Sequence, residues 1–347
     1  MEPLLNVWDY EAEAAKRLSP GAYGYYAGGA GDEVTLRDNV AAFGRWQLRP
    51  RVLVDVAGCT TATTVLGEEL SMPLAVAPVA FQRVAHPDGE VGMARAARTV
   101  GTAMCLSTLA TSTPAEVAAA GSLRWFQLYV FRDEGVTREL VAQAREHGFT
   151  ALVLTVDTPV VGRRERDFRT GFTIPPEVAV ASLGGGGMTP AEAFSLMSPS
   201  VTWRDVARLA EAAGLPVLVK GVLTAEDASL ACEHGAAGVI VSNHGGRQLD
   251  GVAATIDALP EVAEAVGGRV EVLLDGGIRR GADVVKALAL GARAALVGRA
   301  PLWGLAVDGE AGARHVLELL RDEIALGLRL LGCPSPAEVT RAHVQPH

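Results

Sequence analysis

A unit that repeats from about residue 70 to residue 300 constrains the fold of this chain more than any other feature. Each copy consists of a short apolar run, a polar or glycine-rich loop and an alanine-rich amphipathic stretch. The apolar runs lie at 73–78, 102–107, 124–130, 151–156, 216–220, 237–242, 270–275 and 293–298. Continuous apolar runs are typical of parallel strands buried on both faces, and amphipathic stretches are typical of the helices that cover them.

Eight strand–helix units in about 250 residues predict an α/β fold of the (β/α)₈ TIM-barrel type. A doubly wound open sheet is the alternative, because a count of strands does not show whether the sheet closes. Hydrophobic residues make up 49% of the chain and aromatic residues only 5%, so Ala, Val and Leu must build most of the core. We expect residues 1–347 to form a single domain.

Two segments lie outside the repeat. Residues 1–60 form an N-terminal extension with a helical start, followed by PGAYGYYAGGAGDE at 20–33, which contains too much glycine and tyrosine for a simple helix. Residues 175–200 separate the fourth unit from the fifth, and so long a connection in a compact domain is usually a lid or a disordered segment. Because GGGG at 184–187 permits movement, we predict a mobile lid over a functional site; an insertion without function is the alternative.

Charge and cysteine content exclude several classes of protein. The 40 acidic and 31 basic residues give a formal net charge of −9, which disfavours binding to the phosphates of nucleic acids. The four cysteines are scattered without a CxxC pair, so neither a metal site nor a disulfide framework is predicted. The chain starts without a signal-peptide pattern and has no apolar run of about 18 residues, so we expect a cytoplasmic protein that does not enter the membrane.

Polar residues follow nearly every predicted strand. In barrels of this kind the reacting groups lie at the carboxyl ends of the strands, which together form one rim. In strand order, the residues at these positions are Pro78 and Ala80; Ser107 and Thr108; Gln127 and Tyr129; Thr155, Asp157, Arg163 and Arg164; Lys220; Ser242, Asn243, His244 and Arg247; DGGIRRG at 275–281; and GRA at 298–300. A barrel with a purely structural role does not need such a set, so the rim is predicted to carry the functional site.

The last two loops favour an anionic ligand. They place glycines and Arg279 or Arg299 where barrels often bind phosphate, since glycine lets backbone N–H groups approach the oxygens. Glycines that merely form tight turns are the alternative explanation. Lys220 lies at the end of an apolar strand, where it could stabilise the anionic ring of a reduced cofactor or form a salt bridge with a neighbouring carboxylate.

His244 is the candidate general base. Of the seven histidines it alone lies at the end of a predicted barrel strand, and Asp157 on the same rim can hold its tautomer. Arg164 and Arg247 provide forked donors that suit a carboxylate, which indicates an acid as the substrate. The tyrosines that could donate to the same carboxylate or to a hydroxyl group are Tyr25 and Tyr129.

Four motifs extend over nearly the whole chain: YGYYAGGAGDE at 23–33, SNHGGRQLDG at 242–251, LDGGIRRGADVVKALALGA at 274–292 and GRAPLW at 298–303. Together they resemble the FMN-dependent (S)-2-hydroxy-acid oxidase and dehydrogenase family, which includes glycolate oxidase, lactate oxidase, mandelate dehydrogenase and hydroxymandelate oxidase. The combination of SNHGGRQLD with DGGIRRG at this spacing is much more specific than either loop alone.

The resemblance implies a barrel that binds FMN and oxidises an (S)-2-hydroxy acid to the 2-oxo acid, with O₂ reduced to H₂O₂. His244 resembles the base that takes a proton from the substrate while two electrons reach flavin N5, and Asp157 resembles its partner. Arg164 and Arg247 resemble the clamp on the substrate carboxylate. The tyrosines that resemble its helpers are Tyr25, beside the carboxylate, and Tyr129, which faces the hydroxyl. A homotetramer or homo-octamer is also implied.

The resemblance also implies a set of contacts to FMN. The flavin ring would rest against Pro78, Val79 and Ala80 and meet Ser107, Gln127, Thr155 and Lys220. The ribityl chain and the phosphate would reach Ser242, Asp275, Gly277, Arg279, Gly298 and Arg299.

Leu109 departs from the pattern of the glycolate-type members, which have tryptophan at this position. A smaller side chain leaves room for a longer substrate, so we predict that (S)-mandelate or a branched acid is preferred to glycolate; lactate and longer aliphatic acids remain candidates. APVAFQRVAHPDGE at 77–90 resembles the hydroxymandelate oxidase branch. The other departures that bear on the substrate are Phe81, Val160 and Val161.

Three other functions remain open. A dehydrogenase of the same family would pass electrons to quinone or cytochrome. A non-oxidative FMN isomerase would not need Arg164 and Arg247 beside His244. A barrel without catalysis would not need the full set of polar residues at the rim. Peroxide formation and flavin reduction by a 2-hydroxy acid distinguish these functions.

Overall fold

The structure of the chain, a computed structural model, describes residues 3–121, 123–176, 178–181 and 189–347. The elements before the barrel are α1 (Val7–Arg17), α2 (Pro20–Ala27), α3 (Val34–Ala41), β1 (Trp46–Leu48), β2 (Thr63–Val65) and β3 (Glu68–Leu70). β2 and β3 form an antiparallel hairpin, and Val65 and Leu70 pack with the side chains inside the barrel. The N–H of Leu66 donates to Glu271 at the start of a barrel strand, so the hairpin covers the amino-terminal end of the barrel.

Eight parallel strands close into a barrel within the described part of the chain. They are β4 (Leu74–Val76), β5 (Ala103–Leu106), β6 (Leu123–Leu128), β7 (Ala151–Thr155), β8 (Val217–Val222), β9 (Gly238–Val241), β10 (Glu271–Asp275) and β11 (Ala294–Val297). The last strand pairs with the first, with Ala295 opposite Leu74 and Val297 opposite Val76. The predicted barrel is therefore confirmed, and the open-sheet alternative is wrong.

Helices follow the barrel strands, and most of them cover the outside of the barrel. They are α4 (Gly89–Val100), α5 (Pro114–Ala120), α6 (Glu134–Glu146), α7 (Glu165–Thr170), α8 (Pro190–Ser195), α9 (Trp203–Ala212), α10 (Ala225–Glu233), α11 (Thr255–Val266), α12 (Gly281–Ala289) and α13 (Arg299–Leu331). Of these, α7 and α8 lie near the carboxyl-terminal rim of the barrel. A short strand β12 (Val344–Pro346) pairs with β1 and ties the two ends of the chain together. Asp308 and Gly309 break the helical conformation within α13. No helix of the described residues is both long and apolar enough to cross a membrane.

Alternation along the strands divides the core into two layers. Trp125, Val153 and Ile240 point into the barrel and pack there with small apolar side chains. Leu154 and the residues that alternate with the inward set pack against the helices instead. Because apolar side chains fill the lower part of the barrel, a ligand finds space only at the carboxyl ends of the strands.

The tyrosine- and glycine-rich part of the N-terminal extension is a helix, so the expectation that it is not a simple helix is wrong for residues 20–27. Ser19 caps α2 by accepting from the N–H of Ala22, and Pro20 occupies the first turn, where its missing N–H costs nothing. Gly21 permits close packing beside α7, because an added Cβ would lie 3.3 Å from the ring of Phe172. Tertiary packing here outweighs the low helix propensity of glycine.

Only the flanks of the predicted lid lie within the described residues. GGGG at 184–187 is outside them, so the mobility of the segment stays a prediction. On one side Val180 is fully buried. On the other, Thr189 and Glu192 form a capping box that starts α8, and Met197 bridges to Phe131 beside β6.

Candidate active site

One cleft at the carboxyl ends of the strands brings the predicted site residues together. It encloses about 990 Å³, including space open to solvent. The predicted residues that line it are Tyr25, Pro78, Val79, Ala80, Ser107, Leu109, Gln127, Tyr129, Thr155, Arg164, Lys220, His244, Arg247, Asp275, Gly277, Arg279, Gly298 and Arg299. Asp157 lies behind His244, and Ser242 lies behind Lys220, so these two act through the residues in front of them.

His244 and Asp157 form a hydrogen-bonded pair, with Nδ1 2.8 Å from Oδ1. Burial lowers the pKa of His244 below its usual 6.5, although Asp157 opposes this effect. Burial alone would raise the pKa of Asp157, but the charge and the hydrogen bond of His244 lower it overall. The imidazole is therefore neutral near pH 7, and with Nδ1 held by the carboxylate, Nε2 is the nitrogen that can accept a proton.

The backbone of His244 is left-handed, with φ at +57°. This conformation costs a non-glycine residue about 1–3 kcal/mol and is retained where the surroundings fix it. Its N–H donates to Ser242 Oγ at 3.1 Å, and Gly245 and Gly246 continue with φ of +63° and +75°. A side chain at Gly246 would clash with the backbone of Leu36, so the tight turn that presents His244 needs glycine there.

Arg164 and Arg247 lie side by side, and neither has a carboxylate within ion-pair distance among the described residues. Arg247 donates to the carbonyls of Tyr25 and Gly28 at 2.5 and 2.9 Å and lies 4.9 Å from the centre of the Tyr25 ring. Burial and the neighbouring Arg247 lower the pKa of Arg164 to about 10. Asp167 attracts both guanidinium groups, but burial raises the pKa of its own carboxyl. Two cations with so little compensation form a site for an anion.

Lys220 forms the predicted salt bridge, since its Nζ lies 3.0 Å from Asp275 Oδ2 and 2.7 Å from Ser242 Oγ. Burial alone would lower the pKa of Lys220, but Asp275 and Asp157 raise it overall. Lys220 also lines the cleft, so a charged ammonium group faces the space where a ligand binds.

Four buried polar atoms along the cleft lack a hydrogen-bond partner in the described structure. They are Gln127 Nε2, Thr155 Oγ1, Asp275 Oδ1 and Arg279 Nε. An unsatisfied buried polar group costs about 1–3 kcal/mol, so such a cluster indicates a polar ligand that completes it. These atoms fit FMN. The amide and the hydroxyl suit the flavin ring, and the carboxylate and the cation suit the ribityl hydroxyls and the phosphate.

The end of the cleft that was predicted to bind the phosphate makes contacts that the sequence did not predict. Arg279 lies over the ring of Trp8 and 3.7 Å from Glu11 Oε2, so helix α1 contributes to this end of the cleft. Arg299 donates through all three nitrogens, and the carbonyls that accept are those of Tyr26, Gly245 and Gly28. Arg299 therefore braces the N-terminal extension as well as lining the cleft.

Gly277 lets two backbone segments approach at the same end of the cleft. Its φ is +81°, and an added Cβ would lie 1.9 Å from the carbonyl oxygen of Asn39 in α3. The glycine that was predicted to admit a phosphate thus also admits the N-terminal extension.

The sequence did not single out Phe194 or Thr158. The Phe194 ring packs edge-on to Tyr129 at 5.4 Å, lies below the Arg164 guanidinium and lines the cleft. Thr189-Pro-Ala-Glu192 before it is a recognisable helix start that could have placed an ordered helix here. Thr158 donates to Asp157 Oδ1 at 2.9 Å, and nothing in its local sequence indicates this contact.

Three of the four departures expected to bear on the substrate do not line the cleft, namely Phe81, Val160 and Val161. Phe81 packs against the ring of Tyr25, with 5.7 Å between the ring centres, and its N–H donates to the carbonyl of Leu109. Val160 is 71% exposed. Leu109 is fully buried and forms part of the cleft wall.

A family model described as FMN-dependent dehydrogenase matches residues 14–346. This chain belongs to that family. An L-lactate oxidase of Nostoc sp. is 50% identical over 346 residues, which cover 95% of this chain and 94% of that protein. A glycolate oxidase of Spinacia oleracea is 50% identical over 352 residues, which cover 98% of this chain and 95% of that protein. Membership confirms the predicted family and its cofactor, FMN.

Solved structures of mandelate oxidase are similar to this member of the family over the whole chain. One superposes with a TM-score of 0.95 at 42% identity, and the match covers 99% of each chain. Another, with (S)-4-hydroxymandelic acid, superposes with a TM-score of 0.94 at 41% identity and the same coverage.

Proposed function

We propose that this protein oxidises an (S)-2-hydroxy acid to the 2-oxo acid and passes the two electrons to O₂, which becomes H₂O₂. The observation that carries the proposal is the position of the His244–Asp157 pair beside Arg164 and Arg247 in one cleft. A base next to two cations that have no carboxylate partner in the described part of the chain suits a substrate with a carboxylate and an adjacent hydroxyl. The names of the relatives, lactate, glycolate and mandelate oxidases, support the same reaction class.

The side chains of the cleft have separate roles in the proposed reaction. Arg164 and Arg247 bind the substrate carboxylate and fix which face of the α-carbon points into the cleft. His244 Nε2 takes a proton from the substrate, and Asp157 stabilises the imidazolium that results. Tyr129 donates to the substrate hydroxyl, because burial raises the pKa of its phenol and keeps it protonated. When bound, FMN would supply the acceptor for the two electrons and the second proton that the substrate loses, before O₂ becomes H₂O₂.

The buried polar atoms that lack a hydrogen-bond partner among the described residues support the proposed cofactor contacts. The residues that would hold the flavin ring are Pro78, Val79, Ala80, Ser107, Gln127, Thr155 and Lys220. Those that would hold the ribityl chain and the phosphate are Asp275, Gly277, Arg279, Gly298 and Arg299. Ser242 would support this set by fixing Lys220.

We propose (S)-mandelate or a branched 2-hydroxy acid as the preferred substrate, in place of glycolate. Leu109 supports this choice, since it lines the cleft with a side chain smaller than tryptophan. Phe194 adds an aromatic surface to the cleft beside Tyr129 and Arg164. Leu109→Trp should shift the preference towards glycolate and lactate, whereas the exposed Val160 should tolerate Val160→Leu without a change in preference.

One spectroscopic experiment tests cofactor, reaction and substrate together. The absorbance of the purified holoprotein is recorded before and after anaerobic addition of glycolate, lactate, 2-hydroxyoctanoate or mandelate. We expect a flavin spectrum that bleaches fastest with mandelate, and stoichiometric H₂O₂ when air is admitted. A flavin that stays yellow with every acid supports an isomerase and overturns the proposal. Bleaching without peroxide, but with turnover on an artificial acceptor, supports the dehydrogenase alternative. A higher kcat/KM for glycolate than for mandelate overturns the substrate assignment alone.

We further propose that residues 1–347 act as one FMN-binding domain, in a cytoplasmic homotetramer or homo-octamer. Val52 and Leu53 are 83% and 102% exposed, and they adjoin the end of α13, where Arg51 pairs with Leu331 and Leu330 is 70% exposed. Such exposed apolar side chains suit burial against a second copy of the chain. Light scattering should give a mass of four or eight chains, and Leu53→Asp should lower it; a monomer overturns this assignment. Cell fractionation tests the location.

A further inference from the structure

Thr158 lies at the centre of the catalytic pair although the reaction does not require a hydroxyl there. It follows β7 and is 8% exposed. Its Oγ1 is 2.9 Å from Asp157 Oδ1 and 3.4 Å from His244 Nδ1. The hydroxyl has one proton and the carboxylate oxygen is the nearer acceptor, so Thr158 donates to Asp157.

Both donors therefore converge on one oxygen of Asp157. His244 Nδ1 and Thr158 Oγ1 approach Oδ1, while Oδ2 is buried without a hydrogen-bond partner in the described part of the chain. A hydrogen bond from a hydroxyl stabilises the negative charge of a carboxylate and lowers its basicity. Asp157 therefore stabilises a protonated His244 less than it would without the hydrogen bond from Thr158.

We propose that Thr158 is a positioning residue that holds down the basicity of His244 through Asp157. The claim that this basicity matters for turnover rests on the proposed function, whereas the coupling between the three side chains does not. Removal of the hydroxyl leaves Oδ1 with His244 as its donor, which strengthens the Asp157–His244 interaction and raises the basicity of the imidazole.

Other charged and titratable groups act on the same pair from neighbouring elements. Lys220 from β8 and Arg164 after β7 oppose protonation of His244. Tyr129, which follows β6, interacts electrostatically with Asp157. Lys220 and Arg164 are unchanged when Thr158 changes, whereas Tyr129 loses a side-chain hydrogen bond with Thr158. The titration is therefore repeated in a Tyr129→Phe background, where a persisting shift reports the loss of the hydroxyl beside Asp157.

The test compares Thr158→Val, which keeps the branched shape without the hydroxyl, with Thr158→Ser, which keeps the hydroxyl. The His244 titration is followed by NMR of ¹⁵N-histidine-labelled holoprotein, and its resonance is assigned by its absence in His244→Gln. We expect Thr158→Val to raise the pKa of His244 by about 0.5 unit, roughly a threefold change in the protonation constant, and Thr158→Ser to titrate like the parent protein. If Thr158→Val does not fold, Thr158→Ala tests the same loss of hydroxyl.

A second measurement links the titration to turnover. The acid limb of kcat/KM should move to higher pH by the same amount in Thr158→Val, and the shift should vanish in an Asp157→Asn background, where the carboxylate charge is gone. A titration within about 0.1 unit of the parent value, or a downward shift, overturns the proposal. A shift seen by NMR in a protein that does not oxidise 2-hydroxy acids keeps the coupling and overturns only the proposed function.

Discussion

His244 Nδ1 lies 2.8 Å from Asp157 Oδ1, although 87 positions separate the two residues in the chain. Asp157 follows β7 and His244 follows β9, so the strand between them, β8, must leave room for the contact. Gly221 in β8 provides it, because a side chain there would lie 2.7 Å from the Asp157 Cβ. The same residue, with φ at +115°, stands where the β8–β9 register shifts. A glycine in a third strand is thus part of the catalytic geometry.

Replacement of the base should separate chemistry from cofactor binding. His244→Gln keeps a polar side chain but cannot take a proton, so we expect FMN to be retained and turnover to fall by about 10²- to 10⁴-fold. Anaerobic stopped-flow measurement of flavin reduction, with the flavin content from absorbance, checks both parts. His315, whose Nδ1 is hydrogen-bonded to the Tyr10 hydroxyl outside the cleft, provides a control, and His315→Gln should reduce the flavin at the parent rate. Near-normal turnover by His244→Gln would mean that another group is the base.

The pH dependence should place the acid limb of activity below pH 6.5. A base works only when neutral, and burial lowers the pKa of His244 below its usual 6.5. Activity is therefore retained as the pH falls to 6.5 and declines only as it passes through the lower, folded-state value. The profile of kcat/KM from pH 4.5 to 8 measures this; an acid limb centred above 6.5 would contradict the predicted direction. The free energy of unfolding should also decrease as the pH falls below 6.5, because His244 takes up a proton at a higher pH in the unfolded chain than in the folded one.

Replacement of either arginine that is proposed to bind the substrate carboxylate should weaken substrate binding. Arg164→Lys removes the second nitrogen that can bind a carboxylate, so we expect KM to rise about tenfold or more with a smaller change in kcat. Arg163→Lys, at the exposed neighbour that lies over Phe168, should change neither constant. Arg247→Lys should raise KM too and also lower thermal stability, because Arg247 holds the carbonyls of Tyr25 and Gly28. Equal KM values for Arg164→Lys and Arg163→Lys would show that Arg164 does not bind the substrate.

The buried ion pair should be costly to break. Lys220→Met leaves Asp275 as an unpaired buried carboxylate, which we expect to lower the free energy of unfolding by about 3–5 kcal/mol. The double variant Lys220→Met/Asp275→Leu should recover part of this loss, since no buried charge remains. Urea unfolding of the two proteins makes the comparison. Lys16→Met, at an exposed pair with Glu13, is the control and should be nearly neutral. A single variant as stable as the control would mean that Asp275 finds another partner.

Much of the fold and of the candidate site could be predicted because both depend on local sequence patterns. Each apolar run became a barrel strand, and the residue after each run reached the rim because parallel strands end on the same side. Helix α2 was not predicted, since its formation depends on packing of Gly21 against Phe172 and on burial of Tyr25 and Tyr26, and not on propensity. Phe194 was not predicted either, because it does not lie at the end of a strand, and Thr158 was not, because its contact with His244 joins residues far apart in the chain.

The sequence by itself determined the eight strands, the polar residues at their ends, and the residue types of the candidate base, the cations and the loop glycines. Only the tertiary structure decided which of these residues meet. It showed that Arg299 braces three carbonyls, that Thr158 shares an oxygen with His244, and that His244 itself is held with a left-handed backbone. The physical reason is that residue type and spacing encode local conformation, whereas hydrogen bonds between strands and burial depend on closure of the barrel, which joins positions far apart in the chain.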